Sequence, residues 1–146
     1  MVAGIAIPAR LADEMLAQAR AELPNEACGL LAGRLLADDG AEALTYYPAR
    51  NAEASPLRYS VHPDDLIRIV FEIDEAGRDM VGIFHSHTRS PALPSATDRR
   101  AAQYPGAFYV LATLADPIAP PERVLRAWRI HGGHAFEVPL RVGGRT

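Results

Sequence analysis

His85-Ser86-His87-Thr88-Arg89-Ser90-Pro91-Ala92-Leu93-Pro94-Ser95-Ala96-Thr97-Asp98 is the stretch from which the fold is read. It follows Asp79-Met80-Val81-Gly82-Ile83-Phe84, a short apolar run without helical periodicity, which reads as a buried strand. Side chains alternate along a strand, so His85 and His87 share one face and Ser86 points to the other. Two neighbouring imidazoles at a strand end begin a zinc site. Prolines then break the chain, and Ser95 is a favoured N-cap for a helix through Ala96-Thr97-Asp98-Arg99-Arg100. Ser95 and Asp98, three apart, share a side of its first turn. Asp98 offers a carboxylate as third ligand. Three protein ligands leave a fourth tetrahedral position for water, as in a catalytic zinc site.

Such a site needs a base, and Glu26 in Pro24-Asn25-Glu26-Ala27-Cys28-Gly29-Leu30-Leu31 is the candidate, placed where a helix ends and a strand begins. Glu26 before Cys-Gly-Leu-Leu, then His-Ser-His, seven residues, Ser, two residues and Asp resembles the motif of the JAMM (MPN+) metalloproteases. Glu26, His85, Ser86, His87, Ser95 and Asp98 fill every position. The chain is most similar to short bacterial members acting on sulfur-carrier proteins of ubiquitin-like fold. The resemblance implies an α/β (α+β) JAMM/MPN fold, with a curved mixed sheet packed between helices and a likeness to cytidine deaminases. It implies one Zn2+ per chain held by His85, His87 and Asp98. It also implies Glu26 as base, Ser95 as oxyanion donor, and cleavage after the C-terminal Gly-Gly of a ubiquitin-like or sulfur-carrier partner. Ser86, on the far strand face, is expected to support the site from behind. Cys28 comes near the metal only if it shares a strand face with Glu26; otherwise it is a small buried residue.

The chain has 146 residues, 49% hydrophobic, with a net charge of −3. This suits one domain, read as 1–142, with 143–146 as a disordered tail. No basic stripe marks a nucleic-acid partner. No apolar run is long enough for a membrane span, and the N-terminus lacks the charged and apolar regions of a signal peptide. A single cysteine excludes an internal disulfide and fits the cytoplasm. A homodimer is left open. All fifteen basic residues are arginine, which codon bias explains more simply than selection against conjugation acceptors.

In chain order, residues 3–7 read as a strand and 8–22 as an amphipathic helix through Leu11, Met15 and Leu16, stopped by Pro24. Residues 27–33 and 43–48 form a hairpin around Asp38-Asp39-Gly40. A loop covers 51–56 and a further strand 57–61. A helix opens at His62-Pro63-Asp64-Asp65 and ends at Gly77. After the Ser95 helix come a strand at 107–114, a proline-rich loop at 116–121, and paired strands at 124–130 and 135–142 around His131-Gly132-Gly133-His134. These two histidines are expected to face solvent, and Trp128 to lie in the core. The loops 49–57 and 115–122 are short, which favours a flexible tail threaded to the metal and paired with a sheet edge.

The competing readings are a non-catalytic scaffold of the same fold, and a desampylase- or deubiquitinase-like enzyme with another ubiquitin-like substrate. The complete metal set counts against the scaffold. A nucleoside deaminase would need a Cys-x-x-Cys pair and a His-x-Glu, and the chain has one cysteine. A DNA-repair-associated JAMM-like protein would need an added helical DNA-binding region, for which the chain leaves no room.

Overall fold

The computed structural model describes residues 3–116 and 118–143. The elements are β1 (Ile5–Ile7), α1 (Ala9–Ala21), β2 (Cys28–Leu35), β3 (Ala41–Ala49), α2 (Pro63–Glu75), β4 (Asp79–His87), α3 (Ala96–Ala101), β5 (Phe108–Thr113), α4 (Pro121–Val124), β6 (Leu125–His131), β7 (His134–Val138) and β8 (Leu140–Val142). The strands make one mixed sheet in the order β7-β6-β5-β4-β2-β3-β1-β8. β4 lies inside it, antiparallel to β2 and parallel to β5.

Strand alternation divides the core into two layers. Leu11, Met15 and Leu16 of α1 pack with Leu31, Phe84, Phe108 and Val110 on one face. Ile69 and Ile73 of α2 pack with Leu30, Ile83, Tyr109, Leu111 and Trp128 on the other. The mixed sheet between helices is therefore the expected architecture. Register shifts between Leu31 and Ala32, and between Ala32 and Gly33, bend β2 against its neighbours. The first of these turns Val81 to the α1 face with Phe84.

Two side chains tie the helices to the strand ends that matter. Gln18 of α1 donates to the carbonyls of Cys28 and Ala49, and accepts from the Tyr46 hydroxyl. Asp65 of α2 accepts from the Arg50 backbone N–H at 2.8 Å and from its guanidinium at 3.0 Å, which holds the Asp65 carboxyl down at about 2. His62 caps α2, with Nδ1 accepting from the Asp64 N–H. Among the described residues, no helix is long and apolar enough to cross a membrane.

Three local expectations need correction. Residues 57–61 are not a strand: Val61 only bridges to Asn51, because the Asn51 side chain takes up the Arg58 carbonyl and the Ser60 N–H. Residues 135–142 are two strands. Pro139 lacks an N–H and breaks the ladder, so β7 stays on β6 while β8 pairs in parallel with β1. The loop before β6 ends in the short helix α4. Pro48 falls within β3, where β1 pairs only with the far end at Ala41 and Glu42, so no neighbour needs its missing N–H on that side. The expected tail lies outside the described residues apart from Gly143, whose N–H donates to the Ile7 carbonyl.

Beyond the end of their ladder, β2 and β4 are locked by a reciprocal pair of bonds. The Ala27 N–H donates to Ser86 Oγ at 2.9 Å, and the Ser86 N–H donates to the Ala27 carbonyl at 3.0 Å. Ser86→Ala strands a buried N–H and is expected to cost about 1–3 kcal/mol of unfolding free energy. Gly29 faces the Tyr46 ring so closely that a Cβ would collide with it. Gly29→Ala is therefore expected to cost about 1–3 kcal/mol through overpacking. Urea denaturation measures both, and an unchanged midpoint in either variant would contradict the packing described.

Candidate active site

His85 and His87 stand at the C-terminal end of β4, on the α2 face of the sheet, where ligands of parallel strand pairs commonly bind. Asp98 is the third residue of α3. Its Oδ2 lies 3.2 Å from His85 Nε2 and 3.1 Å from His87 Nε2. One ligand atom from each residue lies within 4.8 Å of the others. A tetrahedral ion with bonds of about 2.0–2.2 Å sets its ligand atoms ~3.3 Å apart, so this donor set fits a metal ion.

The two imidazoles are oriented by different means. His87 Nδ1 donates to the Pro91 carbonyl at 2.7 Å, which fixes the ring with Nε2 facing Asp98. The His85 ring is stacked under Tyr59, with centroids 4.1 Å apart, and its buried Nδ1 has no partner among the described residues. Burial depresses the His85 pKa and overrides the pull of Asp98. Burial also presses on His87, but Asp98 and the Pro91 carbonyl outweigh it and raise its pKa. Burial would raise the Asp98 carboxyl, yet the two histidines hold it well below the usual carboxylate range.

Asp98 is also part of the helix start. Its N–H donates to Ser95 Oγ at 3.0 Å, and its Oδ2 accepts from the Ser95 N–H at 2.9 Å, a capping box. Ser95 Oγ accepts in this cap, so its own hydrogen stays available to a ligand.

Glu26 lies just before β2, not on it. Its N–H donates to the Ser55 carbonyl at 2.8 Å, and its carbonyl accepts from Asn51 Nδ2 at 3.1 Å. The carboxyl group is buried, and Oε1 has no partner among the described residues. Burial pushes its pKa up to about 7. Glu26, His87 and Ser95 line one cleft of about 800 Å³. An unsatisfied buried oxygen beside converging ligand atoms has room there for a water or a substrate group.

Cys28 is paired in register with His85 and shares its face. Its thiol turns toward the carbonyls of Ala49 and Arg50 and lies outside the group of ligand atoms. Ser86 points to the α1 face and acts on the site only through Ala27. His131 and His134 are exposed at the β6–β7 turn. Trp128 is in the core, and its Nε1 donates to the Ala92 carbonyl, holding the loop between His87 and α3. The two edge strands, β7 and β8, carry none of these site residues. Tyr59, Asn51 and Pro91 were not anticipated. Asn51 alone carried a signal, as a turn-forming residue ahead of Ala-Glu.

The chain matches the family described as prokaryotic homologs of the JAB domain over residues 8–131. It is 37% identical over 138 residues to the CysO-cysteine peptidase of Mycobacterium tuberculosis, covering 94% of this chain and 90% of that one. It is 37% identical over 113 residues to a desampylase of Haloferax volcanii, covering 73% of this chain and 78% of the other. The solution structure of a Desulfitobacterium hafniense protein superposes with a TM-score of 0.86 at 36% identity, over 97% of this chain and 94% of that one. A match through β1's neighbouring helix to the end of β6, together with a His-His-Asp cluster at the end of β4, establishes that the chain belongs to the prokaryotic branch of the JAB family.

Proposed function

We propose that the chain is a zinc-dependent peptidase that cleaves after the C-terminal Gly-Gly of a ubiquitin-like or sulfur-carrier protein and releases cysteine, another amine or a short peptide. The observation that carries this reading is a cleft in which His87, one of three clustered ligand residues, meets the buried Glu26 carboxyl, whose Oε1 has no partner among the described residues. Similarity to the CysO-cysteine peptidase over 94% of the chain supports the sulfur-carrier class. The desampylase likeness, over 73% of the chain, keeps isopeptide bonds to another ubiquitin-like protein as the second reading.

His85, His87 and Asp98 would hold the ion, and zinc bound there would supply Lewis acidity. Glu26 accepts the proton of the attacking water, because burial poises its carboxyl near neutrality. The same carboxyl returns that proton to the leaving amine. Ser95 Oγ–H, free of the cap it accepts in, donates to the developing oxyanion. Ser86 keeps Glu26 in register with the histidines through the Ala27 N–H. Residues 1–142 act as one domain, with one zinc per chain, and the setting is cytoplasmic.

Glu26→Gln is expected to keep its fold and zinc but lose about 10²–10⁴-fold in hydrolysis. Appreciable turnover would mean that another group is the base. His87→Ala is expected to lose both metal and activity, and a zinc-loaded variant by elemental analysis would remove it from the ligand set. Intact-mass spectrometry with host sulfur carriers bearing cysteine or a short peptide after Gly-Gly tests the substrate. Trimming to the bare Gly-Gly end by wild type, and not by Glu26→Gln, is the expected result. No cleavage of any adduct by zinc-loaded protein would overturn the sulfur-carrier assignment.

A further inference from the structure

The cleft beside Glu26 has two unlike walls. One is apolar, formed by Leu23, Pro24, Pro56 and Leu57, with Leu57 79% and Leu23 47% exposed. The other is the turn after His87, and it is anchored at three points. Thr88 Oγ1 donates to the Pro56 carbonyl at 3.4 Å, Thr113 Oγ1 donates to the Ser90 carbonyl at 2.7 Å, and His87 Nδ1 donates to the Pro91 carbonyl. Arg89 stands between these anchors. It lines the cleft with Glu26 and Ser95 and is the one arginine to do so among the described residues. Arg50, Arg68, Arg126 and Arg129 are all engaged by carboxylates or carbonyls, whereas no hydrogen bond or ion pair is described for Arg89.

An exposed arginine is ordinarily solvated surface. This one is carried on a fixed turn two residues beyond a candidate ligand, in a cleft where the Glu26 carboxylate repels an incoming anion. A substrate adduct of one amino acid brings such an anion: its α-carboxylate lies one carbon from the scissile nitrogen. A lysine side chain in an isopeptide has no carboxylate there, and a longer extension has an amide instead.

Resting on the peptidase reading above, we infer that Arg89 is a specificity-determining residue that receives the α-carboxylate of a single leaving amino acid. In the hydrolysis, the water oxygen bonds to the glycyl carbonyl carbon, the C–N bond breaks, and the proton held by Glu26 passes to the amine. The carboxylate keeps its charge throughout, so Arg89 acts by binding and orientation. Arginine suits this role because its planar fork can hold both carboxylate oxygens.

The test uses the host carrier ending in Gly-Gly-cysteine, prepared as the free acid and as the C-terminal amide. Zinc-loaded wild type is expected to cleave the acid roughly two- to fivefold better in kcat/KM, the range for a partly exposed charge pair. Arg89→Gln is expected to bring that ratio to about one, and Arg89→Lys to restore part of it. Calorimetry with Glu26→Gln protein reads the same preference without turnover, and it is expected to vanish in Glu26→Gln/Arg89→Gln. Equal handling of acid and amide by wild type overturns the inference, as does an Arg89→Gln loss shared by both. If zinc-loaded wild type turns over neither adduct, the sulfur-carrier reading fails. The calorimetric acid-to-amide ratio still decides for Arg89, and a value near one overturns its role.

Discussion

Two hydrogen bonds between Ala27 and Ser86 join segments 59 residues apart, and the site depends on them. They lie beyond the last β2–β4 ladder pair, Cys28 with His85, where β2 begins while β4 runs on beside β5 to His87. Glu26 precedes one partner, and His85 and His87 flank the other. Because Ser86 spends its hydroxyl on the α1 face, both histidines are released to the α2 face. A single alternation of strand side chains thus separates support from chemistry. The bond between Gln18 and the Cys28 carbonyl extends the same lock to α1. That between Asn51 and the Glu26 carbonyl extends it to the loop after β3.

Asp98 couples the fold to the site in another way. One oxygen of its carboxylate faces two imidazoles and also accepts from the Ser95 backbone. α3 has six residues, too few to be stable by its own propensity. Its first turn is set by the same carboxylate that completes the ligand set. Helix initiation and ligand placement are therefore one constraint, and Ser95 satisfies its part as an acceptor while keeping a hydrogen to give.

Much of this was legible in the sequence because its signals are local. The His85–His87 spacing on an apolar run, the Ser95–Asp98 spacing after prolines, and the His62-Pro63-Asp64-Asp65 start each depend on a few adjacent residues. The motif resemblance then joined Glu26 to them, which spacing alone does not do. What escaped was long-range. Residues 57–61 have strand-like composition, but their polar groups are taken by the Asn51 side chain, and Tyr59 is left to stack on His85. Pro139 was visible, yet nothing near it says that β8 crosses to pair with β1. The expected pairing of a substrate tail with a sheet edge is likewise long-range, and the edge strands β7 and β8 lie away from β4.

Cys28 shows what burial does to the remaining reactive group. Its sulfur is fully enclosed, and its S–H points at the Arg50 carbonyl. Burial, with Glu22, Asp65 and Glu26 nearby, pushes the thiol up to about 12. At neutral pH the thiolate is essentially absent, and the thiolate is the form that attacks disulfides and peroxides. The single sulfhydryl of this chain is thus redox-silent, neither exchanging with small thiols nor oxidising readily while the sheet is closed over it.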